Sequence, residues 1–303
     1  MSVVIQFSPD LSGWIVESLD NGRTPAEIVQ SLVERRLNPR AARTVVDAFV
    51  SARRDGRPVP VDSLTIETGA SDYVYEAPRL TMGPRIATFD RTIDVVARAE
   101  KPMIAALAGV VTPEECAQLV ELARPRLGPS TVADARTGKD VVTDHRTSRG
   151  MFFRPRENDL IARLDRRFSE VAGLPVENGE GLQILHYGVG AQFPPHFDFV
   201  QPSNRANEES IARSGQRVTT LIAYLNDVEE GGETAFPVAG WTVFPRQGGA
   251  VYFEYANSRG QVDPRTLHAG CPVLRGEKWI ATKWMRERRF VPAAAVAYSP
   301  PGD

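Results

Sequence analysis

The chain has 303 residues, enough for one large domain or two unequal ones, and its 42% hydrophobic and 24% charged content is that of a globular protein. With 36 Lys and Arg against 38 Asp and Glu, the formal charge of -2 implies no global pull towards nucleic acid or an anionic membrane. No run approaches the ~18 apolar residues of a membrane span, residues 1–13 lack the basic start of a signal peptide, and two isolated cysteines, Cys116 and Cys271, exclude a disulfide framework or a cysteine-built zinc site, which fits a reducing cytoplasm.

In chain order, residues 24–54 read as a helical hairpin. Thr24-Pro25-Ala26-Glu27 combines an N-cap hydroxyl, a proline at the first helical position and a capping-box glutamate. Ile28, Val29, Leu32 and Val33 supply one apolar stripe; Val45, Val46 and Phe49 supply a second after Asn38-Pro39. The polar, turn-rich run 53–60 marks a boundary, and 61–100 has no clear period, so linker and extra strands both remain open. Thr112-Pro113-Glu114-Glu115 opens another helix, and Leu160, Ile161, Leu164 and Phe168 space a further one over 159–171. From 181 onward the texture changes to short strands between glycine turns: 181–187, 217–225, 241–245, 250–255 and 278–285. That spacing argues a sandwich, jelly roll or barrel.

Histidine is the scarce residue, present only as His145, His186, His196 and His268. His196-Phe197-Asp198 is the only H-x-[DE] and is about as frequent as coincidence supplies. Its setting in the strand-rich half, with His268 at the far side of the same region, makes a two-imidazole, one-carboxylate metal set. Such a set suits non-haem Fe(II), and zinc would also accept it. In a strand over 278–284, Lys278, Ile280, Thr282 and Trp284 share a face. A cation, a hydroxyl and an indole there suit a small anion, whereas a solvated edge lysine is the bland reading. Tyr187 shares its face with Leu185 and Gln183, while His186 turns to the other side with Leu182 and Ile184 and is expected to pack under helices. Alternation places Arg217 with Thr219, Leu221 and Ala223. The polar stretch 199–216 reads as a substrate-covering lid, His145 as a surface residue and Cys271 as a small core residue.

Several motifs then occur together: Glu180-Gly181-Leu182-Gln183, His196-Phe197-Asp198, Val228 through Thr234 (VEEGGET), Leu267-His268-Ala269-Gly270 and Gly276-Glu277-Lys278-Trp279. In this order and spacing the chain resembles the prolyl 4-hydroxylase alpha-subunit family of 2-oxoglutarate- and Fe(II)-dependent dioxygenases, from about Lys101 to Glu287. The resemblance implies an α+β fold with a double-stranded β-helix (jelly-roll) core and supporting helices, preceded here by a small helical module. The corresponding divisions are 1–56, a helical hairpin module; 57–100, linker or extra strands; 101–290, the dioxygenase domain; and 291–303, a C-terminal tail.

It also implies His196, Asp198 and His268 as iron ligands. Lys278, with Tyr187, Thr234 and Thr282, would hold 2-oxoglutarate, and Arg217 and Trp284 would face the prime substrate. Phe193, three residues before the first iron histidine, stands where collagen-type enzymes usually carry a tyrosine. The implied activity is oxygen-dependent hydroxylation of prolyl residues in a peptide or protein, releasing succinate and carbon dioxide, with ascorbate as reductant. A free or carrier-bound amino acid or another small metabolite is the alternative substrate. The rivals from other classes are a silent binding module on the same fold and a zinc hydrolase that would give Lys278 no task. A cytoplasmic protein without nucleic-acid or membrane partners is expected, with its oligomeric state open.

Overall fold

Short polar side chains set the helix starts of this chain, and long-range strand pairing sets the rest. The computed structural model describes residues 2–6, 8–34, 39–54, 56, 58–61, 63–67, 73–133, 140–142 and 148–292. It divides into two compact units, 1–72 and 73–303. No helix among the described residues is long and apolar enough to cross a membrane.

In the first unit, β1 (Ser2–Gln6) pairs antiparallel with β2 (Ser63–Glu67), bracketing α1 (Pro9–Asp20), α2 (Pro25–Glu34) and α3 (Pro39–Arg54). The capping box at α2 is present: Thr24 N donates to Glu27 Oε2 at 2.7 Å and Glu27 N to Thr24 Oγ1 at 3.3 Å. Ile28 and Leu32 meet Val45, Val46 and Phe49 in one buried cluster. A third helix joins the expected hairpin: α1, capped by Ser8, contributes Ile15 to that cluster. Its stripe of Leu11, Ile15 and Leu19 was readable, but Ser8 offers no capping-box partner to advertise the start.

The second unit begins earlier than the motif region. β3 (Arg85–Ala87), β4 (Thr92–Glu100) and β5 (Met103–Ala108) form successive antiparallel pairs. Part of the stretch that was open between linker and strands is therefore strand. Next come α4 (Pro113–Ala123), β6 (Gly128–Pro129), the pair β7 (Thr131–Ala133) and β8 (Asp140–Val142), β9 (Arg149–Phe153) and α5 (Asp159–Ala172). After them run β10 (Leu182–Tyr187), β11 (Phe193–His196), α6 (Arg205–Ser214), β12 (Arg217–Tyr224), β13 (Glu230–Gly231), β14 (Thr234–Phe236) and β15 (Trp241–Val243). β16 (Ala250–Glu254), β17 (His268–Gly270), β18 (Val273–Arg275) and β19 (Lys278–Arg286) complete the unit.

Nine strands join in the order β3-β4-β5-β16-β12-β19-β10-β9-β6, and four more in the order β11-β17-β14-β15. β12, β16 and β19 are buried along almost their whole length, as central strands covered on both faces must be. α5 covers one face with Ile161, Leu164, Phe168 and Val171. It is pinned by a buried ion pair, Lys283 Nζ to Asp165 Oδ1 at 2.6 Å, and Lys283 also donates to the Glu180 carbonyl. Arg167 on the same helix pairs with Glu115 of α4 and with Asp90, at 2.7 and 2.5 Å.

Candidate active site

The register of two short strands creates the centre. β11 and β17 run antiparallel with His196 directly opposite His268, so the rings meet at 4.3 Å between centroids. Asp198, just beyond β11, completes the group: Oδ1 lies 3.7 Å from His196 Nε2, and Oδ2 lies 3.6 Å from His268 Nε2. Single ligand atoms from all three lie within 4.8 Å of one another. Each imidazole is hydrogen-bonded through Nδ1 to a carbonyl two residues back, His196 to Pro194 O at 2.9 Å and His268 to Thr266 O at 3.0 Å. A carbonyl only accepts, so Nδ1 carries the proton and Nε2 keeps its lone pair for a metal. Phe193 stacks on His196 at 3.7 Å, and Phe236 and Phe253 flank His268 at 5.6 and 4.7 Å.

Asp198 is held from behind by β12. The Thr220 hydroxyl donates to Asp198 Oδ2 at 2.7 Å and lies 3.0 Å from the Tyr255 hydroxyl. Arg217 Nη1 donates to the Asp198 carbonyl at 3.2 Å, while its other nitrogens grip Glu180 at 2.7 and 2.9 Å. Arg286 donates to the same Glu180 at 2.6 Å. Burial would raise the Glu180 carboxyl, but Arg217 and Arg286 hold it below the usual glutamate value. Burial likewise opposes ionisation of Asp198, and Arg217 and the Thr220 hydrogen bond help hold its carboxyl below the usual aspartate value.

This arrangement corrects the strict alternation read along 217–225. Arg217 pairs with Arg286, but Thr219 pairs with Met285, so a bulge lies between them. Beyond it Thr220, Ile222 and Tyr224 stand opposite Trp284, Thr282 and Ile280. Paired residues share a face, so Arg217 and Thr220 both reach the metal side and Thr219, Leu221 and Ala223 face away. The bulge adds one unpaired residue, which no hydrophobic pattern reveals. Arg217 also stacks over Trp284 at 4.1 Å. Its guanidinium is held by Glu180, the Asp198 carbonyl and that indole, and its side chain stays partly exposed on the metal side of β12.

The third part is an anion pocket. Lys278 stands opposite Tyr187, and Gln183 opposite Thr282, so the faces read from β10 and β19 coincide on one wall. Lys278 is 2% exposed. Its Nζ lies 5.5 Å from the Tyr187 ring and 5.8 Å from the Tyr224 ring, with no ion pair or hydrogen bond to a described residue. Burial pulls its amine down to about 8. Tyr224 donates to Thr234 Oγ1 at 2.9 Å, and Thr282 is buried on the Lys278 face of β19. The Glu233 carboxylate acts on this ammonium only from beyond ion-pair distance, so a contacting anion is still needed to offset its desolvation.

Residues 182–286 match the 2OG-Fe(II) oxygenase superfamily. A probable prolyl 4-hydroxylase 10 of Arabidopsis thaliana is 36% identical over 220 residues, 66% of this chain and 74% of that protein. The chain belongs to the prolyl 4-hydroxylase family. Prolyl 4-hydroxylase 1 of the same plant is 43% identical over 202 residues, covering 62% of this chain and 70% of its own. Subunit alpha-1 of the Gallus gallus enzyme is 38% identical over 189 residues, 62% of this chain and 36% of that one. Among solved structures, a viral collagen prolyl hydroxylase from Paramecium Bursaria Chlorella virus-1 superposes with a TM-score of 0.47 at 28% identity, covering 60% of this chain and 95% of the other.

This prolyl 4-hydroxylase family member is thus a 2-oxoglutarate- and Fe(II)-dependent dioxygenase with antiparallel sheets and covering helices. Its residues fit both groups: two Nε2 lone pairs and a carboxylate make the donor set of a facial triad with open positions, and Lys278 supplies the unpaired cation for a dicarboxylate.

Other residues sit differently from the sequence expectation. His186 lies partly buried on the α4-facing side of the sheet, but its contacts are polar and aromatic: Nε2 bonds Glu277 Oε2 at 2.7 Å and the ring lies 4.4 Å from Trp279. Cys271 is half-buried rather than in the core. The stretch 199–216 contains α6, tied back by Arg286 Nη2 to Ser210 Oγ at 3.1 Å. His145, Arg146 and Thr147 lie outside the described residues, and Ser148 bonds Ser130 at 3.0 Å. Sequence reasoning missed Thr220, Tyr224, Tyr255 and the Glu180 ion cluster. The available signal was Thr219-Thr220 interrupting an otherwise apolar central strand.

Proposed function

We propose that the enzyme hydroxylates prolyl residues of a peptide or protein, consuming 2-oxoglutarate and oxygen and releasing succinate and carbon dioxide. The carrying observation is that β11 and β17 bring His196, Asp198 and His268 together as a metal-ligand set, while β19 buries Lys278 with its Nζ beside Gly270 of β17 and no ion pair or hydrogen bond to a described residue. Phe152, half exposed, sits 6.3 Å from Trp284, an aromatic surface against which the C–H edges of a prolyl ring can pack. The prolyl 4-hydroxylase names of the relatives support the substrate class. We further read the nine- and four-stranded sheets as the two walls of a double-stranded β-helix, and 1–72 as a helical module appended to it.

Bound Fe(II), with 2-oxoglutarate and oxygen, supplies the power to insert one oxygen atom into an unactivated C–H bond. The chain binds and aims. The two imidazoles present unprotonated Nε2 atoms, and Asp198 presents a carboxylate whose charge Arg217 and Thr220 stabilise. Lys278 holds the distal carboxylate of 2-oxoglutarate. Thr234, its oxygen already accepting from Tyr224, has its own proton left to donate to that carboxylate. Phe236, Phe253 and Tyr255 keep the cavity dry on the sheet side. A reductant such as ascorbate would be needed to return an oxidised iron at this centre to the ferrous state.

The test is succinate formation with Fe(II), ascorbate and proline-containing peptides, followed by mass spectrometry for one added oxygen on proline. Turnover that His196→Ala abolishes supports the reading. Oxygen placed only on free amino acids, or on another residue, overturns it.

A further inference from the structure

We infer that the segment 73–80 is a strap that holds His268 in its ligating position, with the Tyr75 hydroxyl acting through the Asp263 carboxylate and the turn Pro264–Thr266. The inference rests on the metal-site reading above and adds two residues that do not touch the metal.

His268 opens β17, a strand of three residues, and follows a connection from β16, 255–267, that is built mostly of turns. A ligand placed there inherits the mobility of its connection unless something ties it down. The tie comes from 73–80, which has neither helix nor strand yet bonds repeatedly to this connection and to the end of β16. Val74 N donates to Gln261 Oε1 at 3.0 Å, and Ser258 donates to Glu76 through N and Oγ at 3.0 and 2.6 Å. Arg79 N and Leu80 N donate to the buried Glu254 carboxylate at 2.9 and 3.0 Å.

The Tyr75 contact is the one that leads to the metal set. Its Oη donates to Asp263 Oδ2 at 2.7 Å, and Asp263 is fully buried. Burial and that carboxylate push the Tyr75 hydroxyl above its ordinary range, so it keeps its proton and is the donor. Asp263 Oδ1 accepts from Arg265 N at 2.9 Å, and the Asp263 carbonyl accepts from Thr266 Oγ1 at 2.7 Å. Asp263 thereby caps the turn Pro264–Thr266 and binds its last residue. The carbonyl of that last residue, Thr266 O, is the one that orients the His268 ring at 3.0 Å.

Without the Tyr75 hydroxyl, one oxygen of a buried carboxylate loses its donor. Rotation of the Asp263 side chain would relieve that loss, at the expense of the bond to Arg265 N. The turn then loosens, and Thr266 O is free to move off His268 Nδ1. The imidazole keeps its lone pair but not its aim, and a metal needs both. Tyr75 and Asp263 are positioning residues, acting through His268.

The experiment uses the full-length protein with Co(II), which takes the same ligands as Fe(II), without 2-oxoglutarate or substrate. Competition against a chromogenic chelator gives the Kd, and the visible ligand-field spectrum reports the geometry around the ion. Tyr75→Phe removes only the hydroxyl; it should raise the Kd for Co(II) about tenfold and shift the visible bands. Ser258→Ala cuts a different bond of the same strap and should leave the Kd within about twofold of the parent. Thr266→Val removes the Oγ1 bond to the Asp263 carbonyl; it should weaken Co(II) binding in the same direction and serves if Tyr75→Phe does not fold. A structural role alone would lower Tm in Tyr75→Phe and leave the Kd and spectrum of the folded variant unchanged. That outcome overturns the inference, as does an equal loss of affinity in Tyr75→Phe and Ser258→Ala. His268→Ala separates the two readings, since Co(II) bound there with parental affinity would refute the metal site itself.

Discussion

Replacing Lys278 with methionine should move stability and cosubstrate binding in opposite directions. Burial lowers the amine from the ordinary 10.5 to about 8, a difference equivalent to about 3 kcal/mol. Below pH ~8 the group is charged in both folded and unfolded chains, so the empty enzyme carries that whole penalty; it fades as pH rises from about 8 to 10.5. Methionine has similar length and suits the wall of Tyr187 and Tyr224. Lys278→Met should therefore stabilise the empty protein by up to about 3 kcal/mol at pH 7, raising Tm by roughly 5–10 °C. Once 2-oxoglutarate is present the balance reverses, because its carboxylate loses its buried partner at a cost of about 3–5 kcal/mol. The KM for 2-oxoglutarate should rise by about 10²–10³-fold. Calorimetry with and without 2-oxoglutarate, together with succinate kinetics, gives both numbers. A lower Tm in the empty variant, or a KM within about threefold of the parent, would refute the picture of an unpaired buried cation awaiting its anion.

The same amine predicts a pH profile. The free enzyme loses the charge near 8 and the bound anion raises that value, so affinity for 2-oxoglutarate is full below pH ~8 and falls by up to about tenfold per pH unit above it. KM measured across pH 6.5–9.5 checks this, roughly, and a flat profile in the parent would contradict it. Asp165→Asn leaves the Lys283 ammonium buried without its carboxylate, so unfolding should become easier by about 3–5 kcal/mol. Arg205→Ala, which breaks only the exposed pair with Glu209, should change stability by less than about 0.5 kcal/mol. Gly231→Ala drives a Cβ into the Pro272 carbonyl oxygen at a φ of 77°, which should cost more than about 2 kcal/mol in a thermal melt.

The parts of this molecule legible in the sequence are those set by local chemistry. Thr24-Glu27 and Thr112-Glu115 are both real capping boxes, and the α5 stripe runs where its spacing placed it. Lys278, Thr282 and Trp284 share a face because β19 has an unbroken period of two. Long-range registry decided what was missed. The β12 bulge inverted the reading of Thr219 and Thr220, and nothing in 85–100 advertised strands because β4 is largely exposed and lacks alternation. Glu180 was visible only as a motif letter; its task depends on Arg217 and Arg286 arriving from two other strands. His186 turned away from Tyr187 as alternation required, and its bond to Glu277 could not be read from the pattern of its own strand.

The carbonyl bonds of the two histidines bear on how the centre assembles. Pro194 and Thr266 each lie two residues before their histidine, so both imidazole tautomers are selected within a three-residue stretch of backbone. Bringing β11 and β17 together then joins rings whose metal-facing nitrogens are already bare. With Nδ1 turned to a backbone carbonyl, Nε2 is the nitrogen each ring offers to a metal, and capture has no tautomer to exchange. The empty protein can therefore fold first and load its iron afterwards without rearranging either ring.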